Sequence, residues 1–257
     1  MDRLIYTALS AMDAAMHRQR AIANNLSNAS TPGFRKEVFA VLPATLRNTP
    51  DGTWVEARAL ARGNVRGADM AGGKINATGQ PLDIAVDGNA LIAFQAPGGV
   101  GEVYSRRGDL RVAPSGLLEN GEGLPVLGED GTPITTPPGF ALSIAPDGAV
   151  LARDPAAPAI EPPETIGRIK LVSPEGSQLV KGIDSFLKVP DGAGGSGVLP
   201  PDPTARVTPG ALEASNVETA ETLVAMIDAQ RAFEQRAKII RTAGELDEAA
   251  SRLMSLR

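Results

Sequence analysis

Residues 3–33, RLIYTALSAMDAAMHRQRAIANNLSNASTPG, decide how the chain is built. Ile5, Leu9, Met12, Met16, Gln19, Ala23 and Leu26 recur at alternating steps of four and three, the spacing of an apolar helix seam. The run predicts a helix over about residues 3–28, ~40 Å long at ~1.5 Å per residue. It stops at Asn28-Ala29-Ser30-Thr31-Pro32-Gly33. Pro32 pushes Thr31 out of helical space, and Gly33 can supply the positive φ of a type II turn.

The far end reads the same way. Ser215-Asn216-Val217-Glu218 has the pattern of a capping box, opening a helix of about 40 residues, or ~60 Å. Its apolar stripe changes register. Val217, Ala220, Val224 and Ile227 form one line, Leu223, Met226, Phe233, Ala237 and Ile240 a second, and Ile239, Ala243, Leu246, Ala250 and Leu253 a third. A drifting stripe predicts several neighbouring helices rather than one partner.

Between these ends the chain changes character. It has 28 Gly and 21 Pro, and all but Pro32, Gly33 and Gly244 lie between residues 43 and 210, which predicts strands and turns there. Leu82, Ile84 and Val86 alternate with Asp83 and Ala85, and Phe140, Leu142 and Ile144 alternate ahead of Pro146-Asp147-Gly148. Asp-Gly pairs at 51–52, 87–88, 130–131, 147–148 and 191–192 are turn signals. The fold class is α+β, with a helix at each end of an all-β, Gly/Pro-rich middle. The expected divisions are a helix and turn over 1–36, an extended irregular connector over 37–79, a β domain over 80–210 and a helix over 211–257. Within the β domain, 191–203 (DGAGGSGVLPPDP) reads as a flexible return segment.

Composition removes most chemistry. The 257 residues contain no Cys and one histidine, His17, so thiolate catalysis, disulfides and multi-histidine metal sites are excluded. A net charge of -5 argues against nucleic acid, which recruits a basic face. No run of 18 apolar residues predicts a membrane span, and the charged first thirty residues do not read as a leader. His17 follows a seam residue and reads as an outward-facing helix position. Asp83 and Asp87 read as strand-end and turn residues rather than as paired catalytic carboxylates. Gly98-Gly99-Val100-Gly101 lacks the Lys-Ser/Thr of a phosphate loop and reads as a hairpin tip. The Asp-Gly pairs lack the nonapeptide spacing of a calcium β-roll. Arg18, Arg20, Arg35 and Lys36 read as a solvated or intersubunit face. No catalytic, cofactor-binding or metal residue is expected.

The ends need partners. Five large apolar seam residues contribute roughly 8–15 kcal/mol if fully buried, whereas ordering the helix costs about 1–2 kcal/mol per residue in backbone entropy. A chain whose termini fold fully only in an assembly is the profile of a polymerising subunit.

ANNLSNASTPGFRK (Ala23 to Lys36) resembles the N-terminal signature of the bacterial flagellar axial proteins, the rod and hook family. LEASNVETAETLVAMIDAQRAFEQRAKII (Leu212 to Ile240) resembles that family's C-terminal signature. PLDIAVDGN (Pro81 to Asn89), YSRRGDLRV (Tyr104 to Val112) and PVLG (Pro125 to Gly128) are similar to its central β domain. The resemblance implies terminal helices paired as a coiled-coil-like inner axial domain, and a structural, non-enzymatic subunit of the basal-body rod, of the proximal rod or, as the alternative, the distal rod. It implies export by the flagellar type III apparatus without a cleaved signal peptide and assembly in the periplasmic space, with other rod proteins and copies of itself as partners. The expected interface residues are Ile5, Leu9, Met12, Met16 and Leu26 on the first helix, with Val224, Ile227, Phe233 and Ile240 on the last helix. Asn24, Asn25 and Asn28 would bond carbonyls across an interface, Thr31, Pro32, Gly33 and Phe34 form the turn, and Leu212, Ser215, Asn216 and Val217 open the C-terminal signature. The rival readings are a secreted adhesin-like binding module, which nine aromatics serve poorly, and a peptidoglycan-cleaving enzyme.

Overall fold

The computed structural model describes residues 2–44, 60–158, 161–182, 184–190 and 196–255. Helix α1 (Asp2–Ser27) and helix α2 (Thr219–Ser255) enclose seventeen short strands among these residues. The chain divides into two compact units. The first holds 1–27, 37–67 and 218–257; the second holds 28–36 and 68–217.

In the first unit α1 and α2 pack against each other, and β1 (Glu37–Ala44) pairs with β2 (Leu60–Ala68). The expected irregular connector thus carries strand pairing, although its Asp51-Gly52 turn lies outside the described residues. Among the described side chains, the buried positions of α1 are Ala14, Ala15, Ala21 and Asn25, and those of α2 are Thr222 and Ala229. Small side chains on the packed faces let two helix axes approach closely.

The second unit is built on a six-stranded antiparallel sheet. Its path runs β12 (Leu171–Val172), β5 (Leu91–Gln95), β6 (Glu102–Ser105), β14 (Leu187–Pro190) and β13 (Val180–Lys181), with β15 (Ser196–Gly197) added beside β14. β5 and β6 form a hairpin in register Ile92↔Ser105 and Phe94↔Val103. Gly98, Gly99 and Gly101 take positive φ at its tip, as the hairpin reading expects. Ile92, Phe94 and Val103 enter one apolar cluster, while Leu91, Ala93 and Tyr104 enter another. The sheet is covered on both faces, which is why Leu91-Ile92-Ala93-Phe94 is unbroken by a polar residue.

Around this sheet stand β11 (Glu164–Arg168), β10 (Ala149–Arg153) and β9 (Ala141–Ile144) as a meander, and three pairs. The pairs are β7 (Leu110–Val112) with β8 (Leu118–Asn120), β16 (Val207–Pro209) with β4 (Ile84–Val86), and β17 (Ala211–Glu213) with β3 (Ile75–Ala77). The last two bring the end of the unit's sequence back onto its beginning. Three expectations are corrected here. β4 does not alternate, because Ala85 is buried with Ile84 and Val86. The described part of 191–203 is tied down rather than loose: Leu199 is buried, its N–H donates to the Tyr104 hydroxyl at 2.8 Å, and the Asp202 N–H donates to the Leu171 carbonyl at 2.8 Å. The Ser215–Glu218 capping box does not form. The first α2 bond runs from the Thr222 N–H to the Glu218 carbonyl, so Glu218 occupies the cap position, and the Ser215 hydroxyl accepts from the Val217 N–H instead.

Phe94 is fully buried in the larger cluster. Phe94→Ala is expected to destabilise the protein by about 3–5 kcal/mol, read as a lower denaturant midpoint at unchanged slope.

Candidate functional site

Two features stand out: the outer faces of the helices in the first unit, and a junction of chain ends in the second.

On α1 the large seam residues do not lie on the packed face. Leu9 is 57% exposed and Met16 is 49% exposed, whereas Met12 and Leu26 are half-buried. The side chain of Ile5 lies outside the described residues. On α2, Val224 is 59% exposed and Ile227 49% exposed, with Phe233 and Ile240 half-buried. Of the residues expected at an interface, Leu9, Met16, Val224 and Ile227 are thus the most exposed on the described helices. Among the described helical positions the buried residues are alanines, Thr222 and Asn25, while several larger apolar residues are exposed. His17 is exposed as expected, 3.7 Å from Asp13 one turn before it.

The asparagines at the end of α1 also work inside the chain. The Asn25 side chain accepts from the Glu37 N–H at 2.7 Å and donates to the Glu37 carbonyl at 3.1 Å, imitating a strand neighbour. Asn24 Nδ2 donates to Glu37 Oε1 at 2.6 Å. These bonds fasten the start of β1 to the helix end and close residues 28–36 into a loop that belongs to the second unit.

There the loop docks. The Thr31 N–H and hydroxyl both bond Asn28, and Pro32 is half-buried. Gly33 has φ +67° and its N–H donates to the Glu213 carbonyl at 2.7 Å. A Cβ at Gly33 would run into the Arg106 carbonyl, so the position requires glycine for space as well as for conformation. Phe34 is buried under the Lys181 ammonium, 3.5 Å above its ring, and Lys181 Nζ also donates to the Arg35 carbonyl. The Lys36 N–H donates to Asn216 Oδ1 at 2.7 Å. Asn216 Nδ2 reaches the carbonyls of Asp69 and Ala71 at 2.9 and 3.0 Å. Leu212 and Ser215 are half-buried and Val217 is buried along the same return.

At the centre is Glu213, 2% exposed. Oε2 accepts from Arg106 Nε at 2.6 Å and Oε1 lies 2.8 Å from Arg35 Nη2, while the Gly73 N–H donates to Oε1 at 2.6 Å. Arg106 also donates to the carbonyls of Val86, Gly88 and Ala90. Burial pushes the Glu213 carboxyl up, but the Gly73 N–H and the two guanidiniums outweigh it and hold the group below the ordinary glutamate value. Burial pushes the Arg35 guanidinium down, partly offset by Glu213. Arg35 is therefore corrected from a solvated or intersubunit residue to a buried member of an ion triad. Arg35, Arg106, Lys181 and Glu213 were not among the expected site residues. No local signal marks them, because Arg106 stands among Arg107, Asp109 and Arg111 and its partner Glu213 is distant in sequence.

Residues 5–35 match the family described as flagella basal body rod protein, and residues 208–253 match the C-terminal family of the flagellar basal body rod FlgEFG proteins. The helix faces and the junction are thus features of a flagellar basal-body rod protein. Over its full length the chain is 38% identical to the flagellar basal-body rod protein FlgF of Salmonella typhimurium, with 100% of both chains covered, and 39% identical to FlgF of Escherichia coli, again with 100% of both. The FlgG rod protein of Bacillus subtilis is 28% identical over 96% of this chain and 97% of its own. The chain belongs to the FlgF family of rod proteins.

Two outcomes follow. Gly33→Ala is expected to cost about 1–3 kcal/mol in overpacking on top of ~1–2 kcal/mol of left-handed strain, read by chemical denaturation. Because the folded Glu213 carboxyl sits below its unfolded value, its stabilisation is complete above about pH 4.3. That stabilisation is lost as pH falls through the lower native value. Denaturation series should show a shallower acid slope in Glu213→Gln than in the wild type, and equal slopes would contradict the assignment.

Proposed function

We propose that this chain is a structural, non-enzymatic subunit of the flagellar basal-body rod that joins its neighbours through the outward faces of α1 and α2. The observation that carries this is the distribution of size on the helices. Leu9, Met16, Val224 and Ile227 remain largely exposed, although burying each stabilises by about 1.5–3 kcal/mol. Neighbouring helices supply the missing cover, and the register drift along α2 suits several of them. Coiled-coil pairing of the termini belongs to this reading, as does an inner axial domain over 1–36 and 211–257. Its partners are other rod proteins, proximal and distal, and further copies of the chain. Delivery runs through the flagellar export apparatus, without a cleaved leader, to the periplasmic space. No helix among the described residues is long and apolar enough to cross a membrane, which fits a subunit held by protein neighbours. There it would form part of the shaft that carries torque to the hook.

The test is mass spectrometry of purified hook–basal bodies from wild-type cells, a deletion strain and strains carrying Leu9→Glu or Val224→Glu. A few copies per wild-type body, no distal rod or hook in the deletion, and at least roughly tenfold lower incorporation of the variants, the loss expected for one apolar contact of this size, support the reading. Many copies per body would move it to the distal rod. Normal incorporation of both variants, with unchanged circular dichroism, would remove the helix faces as interfaces.

A further inference from the structure

We propose that the Arg35–Glu213–Arg106 triad is a completion latch: the second unit closes only when the return segment 211–217 has docked on the turn 28–36, so an incomplete chain stays open. Arg35 and Arg106 are 3% and 4% exposed, and the carboxylate they share is 178 and 107 residues further along the chain. Arg35 Nε, Nη1 and Nη2 meet no hydrogen-bond partner in full geometry among the described residues, so this cation is held in the interior by charge, first by the Glu213 carboxylate 2.8 Å from Nη2 and then by Asp69. Synthesis runs from the N-terminus. Until residue 213 exists, burying the two guanidiniums side by side would leave them without the carboxylate they share, and an ion buried without its partner costs several kcal/mol.

The backbone around the triad is conditional on the same event. Gly33 donates to the Glu213 carbonyl, Asn216 donates to the Phe34 carbonyl, and Gly73 donates to the carboxylate. β17, which carries Glu213, also supplies the partner of β3. The turn has local bonds of its own, from Thr31 to Asn28 and from Phe34 to Thr31, and the Asp69 N–H reaches the Lys36 carbonyl, but every bond that joins the turn to the return waits for residues 211–217.

The inference does not depend on the rod reading, because it is tested on the isolated full-length protein. Amide exchange is followed by mass spectrometry in the wild type, in Glu213→Gln, which supplies a complete chain without the carboxylate, and in Glu102→Gln. The last breaks another buried ion pair of this unit, Glu102 with Lys170 at 2.7 Å, and serves as the control. In Glu213→Gln, segments 28–36 and 211–217 are expected to open together, with exchange accelerated roughly hundredfold or more, the scale of an orphaned buried charge. Glu102→Gln is expected not to single out those two segments. Opening of only one segment in Glu213→Gln, or equal opening of both by Glu102→Gln, overturns the latch. If Glu213→Gln fails to fold, Arg35→Lys decides, since it keeps the charge and forfeits the fork. Linked but smaller opening of both segments supports the latch, and unchanged protection of 211–217 overturns it.

Discussion

The buried carboxylate of Glu213 is the constraint on which the second unit depends. It accepts from Arg106 and Gly73, lies against Arg35, and its own backbone carbonyl accepts from Gly33. One residue near the end of the unit thereby fixes a turn from its start, the entry strand region and a loop from its middle. Buried ion groups of this kind are poor sources of net stability, since the desolvation of each ion offsets most of the attraction. Their effect lies in what they forbid. Any arrangement that buries Arg35 or Arg106 without Glu213 is costly, so the ladder of alternatives open to a Gly- and Pro-rich chain is cut short.

The first unit follows the opposite logic. Among its described helical positions the buried residues are Ala14, Ala15, Ala21, Asn25, Thr222 and Ala229, without a buried ion pair of the kind at Glu213. Such residues let helices approach closely but bury little apolar area each. Long helices held this way gain little beyond their own backbone bonds, and isolated helices are marginal in water. Several of the large side chains that would remedy this, Leu9, Met16, Leu223, Val224, Ile227 and Ile239, are exposed instead.

Much of this was legible in sequence because it rests on local chemistry. The apolar spacing and the Pro32-Gly33 stop placed α1, and the Gly/Pro partition placed the strands. Periodicity gave the existence of α2 but not its start: Ser215 and Glu218 have capping residues at capping spacing, yet tertiary bonds to Asn216 hold that segment extended and delay the helix to Thr219. The direction of the α1 seam was also beyond local reading. A stripe of Leu and Met and a stripe of Ala lie on the same helix, and which one faces α2 depends on the complementary face of α2, 200 residues away. Asn25 shows the same limit, since an amide can imitate a strand edge only where a strand begins beside it. The triad was least legible of all, because Arg35, Arg106 and Glu213 are distant in sequence and each, taken singly, resembles an ordinary surface charge.

The two matched family segments acquire a physical meaning from this division. Residues 5–35 run from the helix into the docked turn, and 208–253 run from the returning strand into α2. Each segment therefore holds one stretch with outward apolar side chains and one stretch committed to the β unit. The docked stretch is committed to the chain's own interior, and the boundary between the two stretches falls at Ser27 and at Val217. Arg106 belongs to neither segment, yet both docked stretches depend on it: the turn through the carbonyl that leaves no room for a Cβ at Gly33, and the return through the Glu213 carboxylate. The central β region is thus more than cargo carried between two terminal signatures. It supplies the residue that joins them.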